Sequence, residues 1–323
     1  MRHLFIVNPI CTRVKGNLDS VIREIQTFME GYPQFYYDIH VTRWHRDALG
    51  YCRKYALKAQ DETVRVHVLG GTGTLFEIIN AVVDLPNVQI ASYPMGRTNI
   101  FLHYYGLDEA PLFASVEKQV FSGVIGIDAI RCNHNYGISS VLIGFEAYID
   151  NKGDKLIGKT HLPSDLCYAF VALPGLWKGT VTQNYGINLD GQSLDGEYIS
   201  IMVANQPWYS ENLCPGIDAR PNDGVFDVYT SKDSNKILRI IGSAEYLKGR
   251  YAKHPAYISH HIGRKLVVSS DKLMFLSVDG ETFYENSVEC ELLPGVIRFV
   301  LPDGIDAGKL ARADKPEAGL NHD

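Results

Sequence analysis

Short apolar runs alternate with helical apolar spacing over the first 120 residues, and this alternation most restricts the fold of the chain. Strands are predicted at His3–Val7, Phe35–Val41, Val64–Val68 and Val88–Ser92. Helices are predicted between them at Leu18–Met29, His45–Ala59 and Leu75–Val83. This β-α-β-α order predicts a mostly parallel sheet with helices on both faces.

From about Val124 the pattern changes to short β-rich runs separated by Asp-Gly turn dipeptides. The predicted strands are Ile127–Arg131, Ser139–Ile149, Thr180–Asn188, Tyr198–Asn205, Val225–Thr230, Lys265–Ser269, Met274–Val278 and Val296–Leu301. Two helices are predicted within this half, at Ser164–Trp177 and Ser234–Lys248. The pattern favours a β-sandwich or barrel-like second domain. We therefore expect an α/β domain at 1–125, joined by the tail 303–323, and an all-β domain at 126–302.

Charge and composition exclude several classes of protein. The net charge is −6 over 323 residues, which disfavours a nucleic-acid-binding protein. No apolar run approaches the roughly 20 residues of a membrane helix, and the N-terminus reads as a first strand, so we expect a cytoplasmic protein. The six cysteines form no CxxC pair and no zinc spacing, which predicts free thiols.

One stretch departs from the acidic average. Residues 236–265 carry seven Lys or Arg residues against the single acid Glu245. Two interpretations stay open: this stretch contacts anionic lipid or phosphate, or it is an ordinary solvated surface.

Two glycine turns indicate a phosphate site. Gly70-Gly71-Thr72-Gly73-Thr74 lies between a predicted strand and a helix, where backbone N–H groups and the helix N-terminus attract anions. No Lys follows as in a Walker A loop, and a tight packing turn is an equal alternative. A second turn, Pro94–Phe101, follows the next strand, and Asn8-Pro9 follows the first. Because these strand ends meet at one sheet edge, they predict a nucleotide cleft there.

An ordered set of motifs resembles the diacylglycerol kinase catalytic-domain family. Leu69–Asn80 resembles the GGDGTLNEVVN segment of that family, and Pro94–Phe101 resembles its P-x-G-T-x-N-D-F segment. Asp223–Val228 is similar to its D-G-x-x-D-V turn, and Asp279-Gly280-Glu281 to its D-G-E motif. Asn8-Pro9 resembles the family's N-P opening, and the motifs keep the family order from residue 3 to residue 302.

The resemblance implies a Rossmann-like parallel-sheet nucleotide domain, as in NAD kinases and diacylglycerol kinases, followed by a β-sandwich lipid domain, with the nucleotide between them. It implies a Mg²⁺-dependent kinase that transfers the γ-phosphoryl of ATP to a lipid hydroxyl. Glu281 would accept the proton, with Asp279 beside it. Asp223 and main-chain oxygens of Arg220 and Val225 would hold a structural Mg²⁺. The implied nucleotide-binding residues are Asn8, Pro9, Ile10, Cys11, Thr12, Thr42, Gly70, Gly71, Thr72, Gly73, Thr74, Glu77, Gly96, Arg97 and Asn99.

The implied partners are a nucleotide and a lipid substrate at the membrane surface, with no nucleic acid. The protein would be cytoplasmic and peripheral at the membrane, and a homodimer is left open. Diacylglycerol, a sphingoid base or a polyprenol could each supply the hydroxyl. Val120–Ile125 and the basic residues around Lys248–Lys253 are two candidate membrane-docking segments.

The family motifs are altered at the phosphate loops. Thr72 and Ile100 stand where the family has Asp, and Arg97 stands where it has Thr. We hypothesise that Arg97 binds nucleotide phosphate in place of the lost acid–magnesium network.

Four functions remain open, in descending order. They are a lipid kinase, a catalytically impaired nucleotide- or lipid-binding relative, a kinase for another hydroxyl such as that of NAD, and a P-loop enzyme built on Gly153–Thr160. The letters Asp195-Gly196-Glu197 repeat the D-G-E motif without its context and are interpreted as a hairpin turn.

Overall fold

In the computed structural model the chain separates into two units, within described residues 1–106, 110–157, 159–160, 164–178, 182–210 and 212–305. Unit 1 is Met1–Ala129 together with residues 294–305, and unit 2 is Ile130–Leu293. The expected boundary was 125/126, and most of the tail 303–323 lies outside the described residues. No described helix has the length and apolar character needed to cross a membrane.

Unit 1 contains four strands that alternate with helices. Its strands are β1 Arg2–Val7, β2 Tyr36–Val41, β3 Val64–Gly70 and β4 Val88–Pro94, and β5 Val124–Cys132 crosses into unit 2. Its helices are α1 Leu18–Glu30, α2 Asp47–Lys58, α3 Thr72–Val82, α4 Ile100–His103, α5 Ala110–Ala114 and α6 Val116–Phe121.

The strands of unit 1 pair in parallel in the order β4-β3-β1-β2. Val7 pairs with Leu69 at the end of β3, so the carboxyl ends of the strands lie at one edge. Every residue of β3 and β4 is buried, as expected for strands covered on both faces. Helix α1 packs Ile25 and Met29 into the core formed with Phe5 and Tyr93. The parallel pairing predicted for this half is therefore observed for these four strands.

The core of unit 1 contains a chain of buried polar rings. His3 Nδ1 and His67 Nε2 are 2.9 Å apart, and His67 Nδ1 is 2.9 Å from the Tyr93 hydroxyl. Burial lowers the pKa of His3 to about 4 and lowers the pKa of His67 well below its ordinary value. Both imidazoles are therefore neutral bases near pH 7.

Unit 2 is mostly antiparallel. Its strands are β6 Asn135–Gly137, β7 Ser140–Gly144, β8 Gln183–Leu189, β9 Gln192–Ser193, β10 Gly196–Ala204, β11 Phe226–Lys232, β12 Ile258–Gly263, β13 Lys265–Val278 and β14 Glu281–Val300, of which β14 continues into unit 1. Its helices are α7 Phe145–Ile157, α8 Ser164–Lys178 and α9 Lys236–Tyr246. The strand path is β12-β11-β10-β7-β13-β14, and β8 pairs with both β10 and β13.

The strand predicted at Ser139–Ile149 is wrong from Phe145 onward. Gly144 has a φ of +88°, a conformation that glycine adopts readily, and the chain turns there from β7 into α7. Residues 153–157 continue α7 as regular helix, so they do not form the loop that a P-loop requires. Gly158 of the candidate P-loop, and residues 180–181 of the strand predicted at Thr180–Asn188, lie outside the described residues.

Two other predicted boundaries also change. The separate strands predicted at Lys265–Ser269 and Met274–Val278 are one strand, β13, with an irregular register between Ser269 and Met274. Helix α3 begins at Thr72 and not at Leu75, which places Gly73 and Thr74 inside its first turn.

Candidate functional site

Three loops follow β1, β3 and β4 at the carboxyl edge of the unit 1 sheet. The Asn8 backbone N–H donates to the Leu69 carbonyl at 3.0 Å, and Asn8 Nδ2 donates to Thr74 Oγ1 at 2.9 Å. The Arg13 N–H donates to the Met95 carbonyl at 3.2 Å. The loop after β1 is therefore bonded to both of the other loops.

The two glycine turns touch through their backbones. A Cβ built on Gly96 would lie 2.3 Å from Gly71 Cα, a distance that real atoms do not reach. Thr72 Oγ1 donates to the Thr98 carbonyl at 3.3 Å across the same contact. Asn99 bonds both polar backbone groups of Gly96, accepting from its N–H at 3.3 Å and donating to its carbonyl at 3.2 Å. Glycine is thus required here for close packing of two loops.

The N-terminus of α3 opens at this edge. Gly71 occupies the cap position without a side-chain cap, and no acidic residue lies in the first turn. The first N–H groups of a helix have no intrahelical acceptor, and the helix dipole makes them favour an anion. Backbone N–H groups of Thr72, Gly73 and Thr74 therefore offer a phosphate-type site.

The other predicted nucleotide residues are spread around this edge. The Thr42 N–H donates to the Val7 carbonyl at 2.9 Å, so Thr42 continues the β1–β2 pairing. Arg97 and Thr12 are exposed, and Pro9 and Cys11 are half-buried. Burial raises the pKa of the Cys11 thiol, partly offset by the backbone N–H of Gly71. Ile10 is 79% exposed, so its side chain has little protein contact.

Glu77 has a different local task from the one predicted. Its carboxylate accepts the backbone N–H of Arg46 at 2.9 Å and that of Leu49 at 3.4 Å. These are N–H groups at the start of α2, whose cap residue Arg46 has a left-handed φ of 64°. Glu77 therefore stabilises the entry to α2, and its binding of nucleotide stays a prediction.

The second predicted group, Asp279 and Glu281, lies in unit 2 at the turn between β13 and β14. Asp279 is buried and has a φ of +47°. Its carboxylate accepts three backbone N–H groups, from Ile138 at 2.8 Å and from Ser139 and Ser140 at 2.9 Å. Burial raises the pKa of Asp279 above its ordinary value, and the three N–H donors offset only part of that rise. Asp279 therefore holds the turn, and half-buried Glu281 begins the next strand.

The predicted metal residues also lie in unit 2. The turn offers the Asp223 carboxylate with main-chain oxygens of Arg220 and Val225, a donor set that Mg²⁺ takes together with waters. Asp223 Oδ1 accepts the Val225 N–H at 3.2 Å, which fixes the carboxylate over the turn. Arg264 Nε donates to the Gly224 carbonyl at 2.9 Å, an oxygen outside that set. No cluster of three or more His, Cys, Asp or Glu occurs among the described residues, and Mg²⁺ binding by Asp223, Arg220 and Val225 stays a prediction.

An apolar cavity of about 300 Å³ lies within unit 2, and sequence reasoning missed it. Its walls come mainly from α7, α8, α9 and β10, which supply Phe145, Ile149, Leu176, Ile199 and Tyr246, and Tyr257, just before β12, also lines it. One carboxyl group, that of Glu146, faces this apolar lining and accepts from Ser200 Oγ at 3.3 Å. Burial, with the nearby charge of Asp150, raises the pKa of Glu146 to about 7.

Helix α7 connects this cavity to the Asp279–Glu281 turn. One turn beyond Glu146, Asp150 accepts from the Ser277 hydroxyl at 2.8 Å and from the Tyr209 hydroxyl. The next residue, Asn151, donates to Thr282 Oγ1 at 2.7 Å. Ser277 and Thr282 flank the turn on its two strands, so the same helix contacts the cavity and both sides of the acid pair.

A sequence signal for this helix exists. Phe145, Tyr148, Ile149 and Leu156 recur at helical spacing, and Glu146 and Asp150 lie four residues apart on it. The interpretation of Ser139–Ile149 as one strand hid that spacing. The cavity itself depends on residues as far apart as Phe145 and Tyr257 and has no local signal.

Comparison with known proteins gives two family matches. Residues 2–131 match the diacylglycerol kinase catalytic domain, and residues 139–301 match the YegS C-terminal NAD kinase beta sandwich-like domain. A "Putative lipid kinase" of Staphylococcus aureus strain JH9 is 26% identical over 289 residues, which cover 88% of this chain and 92% of the relative.

Solved structures show the same two-domain fold. A "putative diacylglycerol kinase" from Bacillus anthracis strain Sterne aligns with a TM-score of 0.75 at 21% identity, over 94% of this chain and 96% of the other. A second diacylglycerol kinase structure from that strain gives a TM-score of 0.70 at 20% identity, over 94% and 98%. With both halves matched in order, the chain belongs to the diacylglycerol kinase catalytic-domain family of lipid kinases.

Proposed function

We propose that this protein is an ATP-dependent lipid kinase that transfers the γ-phosphoryl group of ATP to the hydroxyl of diacylglycerol or a related lipid. The observation that carries the proposal is the uncapped N-terminus of α3 behind two packed glycine turns, in a chain of the lipid kinase family. The protein would act from the cytoplasm at the membrane surface.

In unit 1 the backbone binds the phosphates. N–H groups of Thr72, Gly73 and Thr74 donate to phosphate oxygens, and the hydrogen bonds of Asn8 and Asn99 keep the loops in place. Arg97 is exposed beside these turns, and its guanidinium adds a fixed positive charge. When bound with ATP, Mg²⁺ neutralises phosphate charge, and a structural Mg²⁺ would be held by Asp223 with Arg220 and Val225.

In unit 2 the acceptor lipid binds with its chain in the apolar cavity and its hydroxyl at the turn Asp279–Glu281, which we name the acid turn. The hydroxyl oxygen forms a bond to the γ-phosphorus as the bond from that phosphorus to ADP breaks. The hydroxyl proton passes to the Glu281 carboxylate. Asp279 is a positioning residue, because its carboxylate is already engaged by three backbone N–H groups.

The chain contains its own matched control for this role of Glu281. Asp195-Gly196-Glu197 has the same letters as Asp279-Gly280-Glu281, but it lies in a hairpin where Asp195 accepts from the Ile187 N–H and Glu197 is exposed. Purified protein is incubated with γ-labelled Mg·ATP and a mixed lipid extract. We expect label in the organic phase to fall by about a hundredfold or more in Glu281→Gln and to stay unchanged in Glu197→Gln. Equal transfer by both variants would refute the assigned role.

A second function is favoured by the altered phosphate loops. Thr72 Oγ1 is bonded to the Thr98 carbonyl, and Ile100 begins α4, where the family has carboxylates. A catalytically impaired relative would bind ATP, seen as a raised melting temperature, but transfer no label from any lipid fraction. In that case Thr72→Asp with Ile100→Asp is the variant expected to restore transfer.

A further inference from the structure

Helix α8 is apolar on two of its faces. Tyr168, Ala169, Ala172 and Leu176 line the cavity on one side. Leu166, Phe170, Leu173 and Trp177 recur at i, i+4, i+7 and i+11, so they form one stripe on another face. These four side chains are 48% to 62% exposed. Because a helix that is apolar on several faces is ordinarily covered on each, this stripe requires a partner.

Helix α9 extends the stripe. Ile237 and Ile241, four residues apart, are 70% and 49% exposed. The two helices meet where Lys236 Nζ lies 5.1 Å from the centre of the Trp177 ring. We name the six exposed side chains of α8 and α9 the apolar face: Leu166, Phe170, Leu173, Trp177, Ile237 and Ile241.

Lysines border the apolar face. Lys236 stacks on Trp177, and Lys178 follows it in sequence and is exposed. Lys152 and Lys178 line an open groove of about 740 Å³ that also contains Phe170. An apolar stripe with a tryptophan and lysines at its edge matches the layers of a bilayer surface, where rings lie at headgroup depth and ammonium groups meet phosphates.

We infer that the apolar face of α8 and α9 adsorbs to an anionic lipid bilayer, with Phe170 and Trp177 inserted among the acyl chains. Adsorption would bring the proposed kinase to its lipid substrate, and only this purpose rests on the proposed function. Adsorption itself needs neither ATP nor phosphoryl transfer. Its consequence is that the cavity wall formed by α8 would be one helix thick between membrane and bound lipid. The candidate segments Val120–Ile125 and Lys248–Lys253 are not needed for it.

The test is flotation with vesicles of phosphatidylcholine alone or mixed with phosphatidylglycerol. We expect wild type to float with the anionic vesicles, and Phe170→Gln with Trp177→Gln to lower the partition coefficient by at least about tenfold. Leu273→Gln, at a side chain of matching 60% exposure outside the face, should float like wild type. Lys178→Glu with Lys236→Glu should weaken binding to anionic vesicles alone.

Three results would overturn the inference. Wild type could fail to float, or the double glutamine variant could float like wild type. Wild type could also sediment as a dimer while the double glutamine variant sediments as a monomer, in which case a second copy of the chain covers the apolar face. Glu281→Gln should float like wild type, because adsorption does not use the turn that carries Glu281. Wild type that floats but transfers no label to any lipid would contradict the kinase proposal and leave the adsorption intact.

Discussion

The two units differ in the titratable groups at their centres: two imidazoles lie in the sheet core of unit 1, and two carboxyl groups lie at the cavity and at the Asp279–Glu281 turn of unit 2. Unit 1 encloses the imidazoles of His3 and His67 in a parallel sheet core, and its binding edge consists of backbone N–H groups. Unit 2 encloses the carboxyl groups of Glu146 and Asp279, which lie at an apolar cavity and at the acid turn. The comparison teaches that the proposed phosphate site of unit 1 is built from main chain, whereas the proposed acceptor site of unit 2 is built from side chains held by distant residues.

The largest effect should come from the backbone contact in unit 1. A methyl group at residue 96 would overlap Gly71 Cα, so Gly96→Ala should destabilise the protein by about 3 kcal/mol and abolish nucleotide binding. Gly50→Ala, in the middle of α2 with open space around it, should stabilise by roughly 0.5–1 kcal/mol. Urea unfolding with and without ATP measures both variants. Normal ATP binding by Gly96→Ala would show that the glycine contact does not shape the site.

The lowered pKa of His3 and the raised pKa of Glu146 predict opposite pH dependence. The folded pKa of His3 is about 4 against 6.5, so its stability contribution is complete above pH 6.5 and is lost as pH falls toward 4. The folded pKa of Glu146 is about 7 against 4.5, so its contribution is complete below pH 4.5 and is lost as pH rises toward 7. Each loss is about 1.4 kcal/mol per pH unit at most.

Variants separate the two contributions. The unfolding free energy of Glu146→Gln minus that of wild type should increase as pH rises from 4.5 to 7. The same difference for His3→Gln should increase as pH falls from 6.5 to 4. Chemical unfolding across pH 4 to 8 measures the two differences, with exposed His45→Gln as control. If the two stability differences changed in the same direction with pH, the opposite roles of His3 and Glu146 would be refuted.

The contribution of the Asp279 hydrogen bonds to the free energy of unfolding should be measurable. Asn tolerates a positive φ, but its amide replaces one acceptor oxygen, so Asp279→Asn should cost about 1–2 kcal/mol of unfolding free energy. Transfer should fall with the displaced Glu281. Asp195→Asn, at the look-alike hairpin, should cost less than about 1 kcal/mol. A kinase that keeps full turnover in Asp279→Asn would show that the turn needs no anchoring.

The smallest effect is expected at Arg97. Arg97→Ala should weaken ATP binding by about tenfold, the size of one hydrogen bond to a charged group, and leave the melting temperature of the free protein unchanged because the side chain is exposed. Arg23→Ala on α1 removes the same charge elsewhere on unit 1 and should leave the affinity intact. Isothermal titration compares the two. If Arg97→Ala and Arg23→Ala bound ATP with equal affinity, the hypothesis that Arg97 replaces the family acids at the phosphates would be contradicted.

The two units also differ in what the sequence could predict. Gly70–Thr74 and Pro94–Asn99 were predictable because a glycine turn after a buried strand is a local pattern, and parallel order brings such turns to one edge. The helix at Phe145 was not predicted, because β-rich flanks outweighed its helical spacing. One φ of +88° at Gly144 decided the outcome.

Side-chain partners were the least predictable feature. The engagement of Glu77 with the start of α2, and of Asp279 with residues 138–140, depends on chain segments that only the fold brings together. The raised pKa of Glu146 likewise follows from a cavity formed by three helices and β10. Motifs locate the reacting groups, but they carry no information about what holds each group.

The Asp279 contacts also constrain the order of folding. The carboxylate closes a loop of about 140 residues, because its three donors lie at 138–140, 139 to 141 positions earlier in the chain. Contacts of such long range form slowly and late. During synthesis, residues 138–140 emerge long before the carboxylate that accepts their N–H groups, so the turn that carries Glu281 can assemble only after residue 281 has been made. The proposed acid site of unit 2 should therefore form later in synthesis than the glycine turns of unit 1, which lie within the first 100 residues.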